Sequence, residues 1–296
     1  MRRLLVLPLL LALAAPAGCS GSDQPEAAPA RTTGSPAAAP TEYDQYVALG
    51  DSYTAAPLVP PVDTSTICLR SGVNYPALVA RAMPGTTLTD VSCSGASTAN
   101  TIHPQAGRGS SVPPQFDALQ RTTDLVTIGL GGNDENLFAG VLGSCVRLAQ
   151  RAPAGQPCTR AAEKRDDLDR ILDDIRGHLA AVVDGVRTRS PHARVVVVGY
   201  PQIIPESGTC DDLPIATGDY AFARRVNEGL TEAVEQGAAD ADADYVDVWD
   251  ATAGHDICAD DPWINGRVTS VGRALAYHPL AVEQEHVAQL VLDEIR

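Results

Sequence analysis

Ser52 stands in the stretch QYVALGDSYTAAP (45–57), where an apolar run stops and the chain must turn. A serine hydroxyl becomes a nucleophile only when a base takes its proton. Histidine is the usual base, because its pKa lies near working pH. His278, in RALAYHP, sits in a loop near the end of the chain and could serve. Attack on an ester creates an oxyanion, which requires donors already in place in a dry site. Gly95, in SCSGAS, offers a backbone N–H that no side chain shields. Asn133, in GLGGNDENLF, offers a side-chain amide, and Gly131 and Gly132 before it leave the backbone free to aim it. Each residue alone has a plainer role. Ser52, Asn133 or Asp134 would suit a helix cap, Gly95 a turn, and His278 a solvated loop. Only joint placement makes them catalytic.

The elements that must position them alternate. Apolar, β-branched runs predict strands at 46–49, 86–93, 123–132, 193–201 and 244–251. Amphipathic stretches predict helices at 74–83, 135–149, 219–238 and 281–295. The strongest helical stripe carries Leu168, Ile171, Leu172, Ile175, Leu179, Val182, Val183 and Val186. Strand and helix in alternation mean a parallel sheet with helices on both faces. In such sheets ligands bind outside the carboxyl ends of the strands. Ser52, Gly95 and Asn133 follow the first, second and third strands, and His278 lies in the loop before the last helix. All four are thereby expected on one rim. The walls of a substrate pocket are assigned to loops 57–72, 100–118 and 202–218.

Composition narrows the function. The formal charge of −15 becomes −15 − 2 = −17 once Arg2 and Arg3 leave with a cleaved leader, and no basic cluster interrupts it. Such a surface repels phosphate backbones, so no nucleic-acid partner is expected. The leader itself is MRRLLVLPLLLALAAPAGC: two arginines, an apolar run and small residues. Residues 1–18 read as a signal peptide, too short for a permanent membrane helix. The ending PAGC resembles a lipobox, with Pro16 where Leu is usual, which makes Cys19 a lipidation site and the only expected link to a membrane. Residues 19–42 are Ala/Pro/Ser-rich and read as a disordered tether. Residues 43–296 then form one domain, exported and monomeric.

Beyond Cys19, six cysteines remain in what reads as an oxidising compartment, and six allow fifteen pairings. The sequential set is expected: Cys68–Cys93, Cys145–Cys158 and Cys210–Cys258, each closing a loop region. No CxxC or paired His/Cys spacing suggests a metal, and no cofactor is expected. His255 should pack within its loop; His103, His178, His192 and His286 have no ligand partner in sequence.

GDSY, the glycine of SCSGAS, GGND and YHP together resemble, in order, the four blocks of the SGNH hydrolases, or GDSL lipase/esterase family. The six cysteines also resemble those of secreted actinomycete lipases and esterases of that family. The resemblance implies a flavodoxin-like three-layer α/β/α sandwich on a central parallel five-stranded sheet. It implies Ser52 as nucleophile and His278 as base. It also implies an oxyanion hole made of the Ser52 N–H, Gly95 and Asn133. Two departures stand out. Ala56 occupies the position of a usual glycine, and Leu275 stands where an Asp commonly orients the histidine. A Ser–His dyad is therefore expected, with the Leu275 carbonyl holding Nδ1–H; Asp256 or Asp261 is the substitute acid to be tested. The expected activity is hydrolysis of carboxylic (acyl) esters through an acyl-serine. Deacetylation of carbohydrate by the same machinery is the alternative, for which only Trp249 and Trp263 offer stacking surfaces with a Trp ring. The further alternatives are a non-catalytic envelope-binding lipoprotein and transfer of the acyl group to an alcohol.

Overall fold

The structure is a computed structural model that describes residues 43–107 and 109–296. The expected signal peptide, the Cys19 lipid site and the 19–42 tether lie outside the described residues.

Strand β1 (Gln45–Gly50) leads into the one-turn helix α1 (Ser52–Ala55), then α2 (Tyr75–Ala82) and β2 (Thr87–Asp90). A small hairpin, β3 (Gln105–Gly107) and β4 (Ser110–Val112), precedes β5 (Leu125–Gly129). Three helices follow: α3 (Leu137–Ala149), α4 (Pro157–Glu163) and α5 (Leu168–Arg189). The remainder is β6 (Arg194–Val198), α6 (Tyr220–Asp240), β7 (Asp244–Val246), α7 (Val248–Ala251) and α8 (Ala281–Ile295). The main sheet has five strands in the order β2-β1-β5-β6-β7, every neighbouring pair parallel. This is the expected doubly wound sheet.

Side-chain alternation makes the layers. Val47, Leu49, Val126, Ile128, Val195 and Val197 point into the core shared with α5 and α6. Their neighbours Tyr46, Ala48, Leu125, Val196 and Val198 point the other way, against α2 and α8. Strands buried on both faces must be apolar throughout, which is why they read as continuous runs. The predicted stripe on α5 lies on its buried face, with Ile175, Leu179, Val183 and Val186 fully enclosed.

Three expectations need correction. The helix placed at 135–149 starts at Leu137, because Glu135 and Asn136 adopt left-handed φ of 51° and 52° and cannot continue a helical turn. The strand placed at 244–251 ends at Val246, where Asp247 caps α7 by accepting from the Asp250 N–H at 3.0 Å. Loop 100–118 contains the β3–β4 hairpin, too short for a periodic signal.

The three disulfides pair as expected: Cys68–Cys93, Cys145–Cys158 and Cys210–Cys258. Each ties a segment that borders the carboxyl rim of the sheet or the helices above it.

Candidate active site

At the end of β1 the Gln115 side chain pairs with Gly50, its Oε1 accepting from the Gly50 N–H and its Nε2 donating to the Gly50 carbonyl, at 2.9 Å each. Asp51 is extended and caps α1, its Oδ1 accepting from the Tyr53 N–H at 2.8 Å. Ser52 is thus the first helical residue, 6% exposed. Its N–H is one of the donors a helix start leaves without an intrahelical partner. α1 ends after one turn at Ala56, which takes φ 49° in place of a glycine. The departure from the usual block is absorbed by the alanine itself.

Ser52 opens onto a cavity of about 250 Å³. Asn133 and His278 line the same cavity, so residues 52, 133 and 278 meet at one rim as expected. Gly131, at φ 128°, makes the turn after β5 that brings Asn133 there. The Asn133 amide donates to the Ala96 carbonyl at 2.9 Å. An amide nitrogen carries two protons, so one remains to face the cavity. Gly95 is left-handed at φ 79° and stands one residue before that carbonyl. Gly95 borders the site through Ala96 and is not itself part of the cavity wall. Its loop is fixed by Cys68–Cys93, by Ser94 Oγ donating to the Cys68 carbonyl at 2.7 Å, and by Gln105 Nε2 donating to the Ser94 carbonyl at 2.8 Å.

His278 is oriented by main chain, but not by the expected carbonyl. Nδ1 lies 2.7 Å from the Ala276 oxygen. A carbonyl can only accept, so Nδ1 carries the proton and Nε2 keeps its lone pair. The Leu275 carbonyl is already occupied: it accepts from Asn265 Nδ2 at 3.0 Å and from the His278 N–H at 3.3 Å. Buried Asn265 ties the loop together, donating also to the carbonyls of Val268 and Ala274 at 3.0 and 3.1 Å. Tyr277 takes a left-handed φ of 62° to turn the imidazole inward. Burial lowers the His278 pKa, and the Ala276 bond offsets part of that. Neither substitute acid reaches the ring. Asp256 is spent on the Cys258 N–H at 2.7 Å, and the Asp261 side chain is 84% exposed beside His255.

Two residues that the sequence reading left without a role join these loops. Tyr53 stacks on the His278 ring at 5.4 Å and donates its hydroxyl to the Tyr277 carbonyl at 2.7 Å. The residue after Ser52 thereby holds the loop and the ring of His278. Tyr200, in VVVVGYP, donates to Asp51 Oδ2 at 2.6 Å and accepts from the Gly132 N–H at 2.8 Å. One buried hydroxyl thus joins the residue before Ser52 to the residue before Asn133. Burial raises the Asp51 pKa to about 7, against the lowering effect of the Tyr200 bond. Tyr200 follows β6, and the strand-end rule that found Ser52 and Asn133 points to it too.

The remaining cavity wall is apolar: Phe138, Ala139 and Leu142 from α3, Ile203 after β6, and Leu230 from α6. The loops expected to build it contribute only Ile203. The other histidines lie elsewhere. His178 Nδ1 is 3.1 Å from Asp134 Oδ2, whose carboxylate also accepts from the Thr98 N–H and hydroxyl. His255 and His286 stack on opposite sides of Trp263, at 3.8 and 4.0 Å.

A parallel five-stranded sheet between helical layers, with an apolar cavity over its strand ends, is the architecture of the SGNH ester hydrolases. Residues 48–281 match the GDSL-like lipase/acylhydrolase family, and the chain belongs to it. It is 38% identical over 258 residues to Lipase 2 of Streptomyces coelicolor, covering 84% of each chain. Its fold is similar to that of phospholipase A1 from Streptomyces albidoflavus, with a TM-score of 0.70, 30% identity, and coverage of 85% of this chain and 99% of that one. The extracellular lipase of Streptomyces rimosus is equally similar, at TM-score 0.70 and 29% identity over 84% of this chain and 99% of its own. The chain is an ester hydrolase of this family.

Proposed function

We propose that the protein hydrolyses acyl esters of lipids through an acyl-Ser52 intermediate formed by a Ser52–His278 dyad. His278 Nε2 takes the Ser52 proton as Oγ attacks the ester carbonyl, and returns it to the departing alcohol. Water, deprotonated by the same nitrogen, then releases the acid. The Ala276 carbonyl replaces a triad acid by fixing the tautomer and the ring plane. The oxyanion falls to the Ser52 N–H and the free proton of the Asn133 amide, while Gly95, outside the cavity wall, supports that amide through the neighbouring Ala96 carbonyl. The observation that carries this reading is one cavity lined by Ser52, Asn133 and His278 together with the apolar side chains of Phe138, Leu142, Ile203 and Leu230. Apolar walls beside a nucleophile suit an acyl chain better than a sugar.

The carbohydrate reading is weaker. Trp263 is enclosed between two histidines and Trp249 lies under Arg224, so neither ring offers the cavity a sugar platform. Every catalytic position holds a competent residue, which argues against a purely binding lipoprotein. Export to an oxidising compartment agrees with the three disulfides; a monomer with a leader over 1–18 and lipid on Cys19 completes the proposal. Mass spectrometry of the mature N-terminus tests the lipid.

A panel of p-nitrophenyl esters of rising chain length, set against acetylated glycans, tests the function. Turnover rising beyond acetate on the p-nitrophenyl series, abolished in Ser52→Ala and His278→Ala, is expected. Activity confined to acetylated glycans would overturn it.

A further inference from the structure

Helix α3 has two working faces. Phe138, Ala139 and Leu142 face the catalytic cavity. Val141, Ser144, Arg147 and Leu148 face a second cavity, of about 390 Å³, closed from the far side by α4. No residue is shared between the two. The second floor is apolar, built from Val141, Leu148, Ala162 and Phe222. Its rim carries Arg147, Arg151 and Arg165. A fourth guanidinium, of Arg225, lies 5.3 Å from the centre of the Phe222 ring.

This concentration is unusual for the chain, which has only 22 Lys and Arg against 37 Asp and Glu. Among the described residues, no carboxylate forms an ion pair with Arg147, Arg151 or Arg225. Arg147 donates instead to the Ser144 hydroxyl at 2.8 Å. Arg165 has only a loose contact of 3.7 Å with Asp167 and is 62% exposed. On an acidic protein, carboxylates are plentiful enough to neutralise such a cluster. Guanidinium forks left open match carboxylate or phosphate oxygens bidentately, and the floor beneath them matches hydrocarbon. The Cys145–Cys158 disulfide joins α3 to α4, so the groove is held in shape without a ligand.

We propose that the α3–α4 groove binds a single-chain anionic amphiphile, its oxyacid head on Arg147, Arg151 and Arg165 and its chain along Val141, Leu148 and Phe222. A free fatty acid and a phosphorylated lipid share this chemistry. The site is separate from the ester-cleaving cavity and does not depend on the roles given to Ser52 and His278.

Isothermal titration of the whole protein with decanoate and with decyl phosphate, both below their micelle-forming concentrations, tests it. Inorganic phosphate and a neutral decyl glycoside serve as controls. Saturable binding of decanoate or of decyl phosphate is expected, the tighter of the two identifying the source. Arg147→Gln with Arg151→Gln should weaken that binding about tenfold, the size of one or two lost charge-assisted bonds. Its circular dichroism and its rate on a short soluble ester should not change. Arg165→Gln alone should weaken binding less, by a few-fold. Binding unaffected by the arginine substitutions would place the amphiphile in the catalytic cavity and overturn the proposal. So would inorganic phosphate or the neutral glycoside binding as well as the charged amphiphiles, or no binding at all.

Discussion

Tyr200 bears most on the chemistry without touching the reacting atoms. Its hydroxyl fixes Asp51 and Gly132, the neighbours of Ser52 and Asn133. Tyr200→Phe leaves the Gly132 N–H unpaired in a buried place, a cost of about 1–3 kcal/mol. We expect kcat to fall roughly 10- to 100-fold with little change in KM, since alignment rather than substrate binding is lost. Asn133→Ala should cost more, about 10²–10³ in kcat, the usual loss of an oxyanion donor. His278 gives a pH test. Burial lowers its pKa, so the neutral base persists into more acidic solution. The acid limb of kcat/KM should therefore lie below the ordinary histidine value of about 6.5. A limb above that value would mean a charged partner, and hence an acid, beside the ring. At this scale the meeting of Ser52, Asn133 and His278 at one cavity was legible because each sits in a short block whose residue types have few other uses together. The Ala276 carbonyl was not. A shift of one residue in a turn depends on Asn265 occupying Leu275, a contact made across ten positions of sequence.

The elements divide into those that wall the cavity and those that bury an ionisable group. α3 builds the cavity wall at Leu142, so Leu142→Trp should shift preference toward shorter acyl chains. Hydrolysis of the longest ester in a series should fall most, while acetate turnover stays near that of the parent. α8 buries Glu283, with Gln284 Nε2 donating to it at 2.7 Å. Burial raises its pKa to about 8. The folded state therefore keeps a proton that the unfolded chain releases above its ordinary range near pH 4. Stability from this group is present below that range and is lost as pH rises toward 8. Asp51, at about 7, acts in the same direction. Glu283→Gln should flatten the fall in Tm across this window; an unchanged pH profile would contradict the assignment. The strands were readable because burial on both faces makes continuous apolar runs, and the α5 stripe because burial on one face leaves a helical period. Cavity walls were not, since Phe138 and Leu142 look in sequence like any apolar helical residues.

Across the whole molecule, the disulfides act on the loops that the sheet itself cannot hold. Cys210–Cys258 spans 48 residues of sequence, and closing a loop of that size restricts the unfolded chain by about 4 kcal/mol. Replacing both cysteines by serine should lower thermal stability more than opening Cys145–Cys158, which spans 13. Scanning calorimetry of the two variants checks the order. Global topology was the most legible level: alternating elements and strand-end placement led to five parallel strands and one rim. The central claim is that Ser52 is the activated nucleophile of that rim. It is met most directly by treating the intact protein with a fluorophosphonate and mapping the adduct by peptide mass spectrometry. One adduct is predicted, on Ser52, formed far more slowly in His278→Ala. An unlabelled Ser52, or labelling at another serine, would contradict the account.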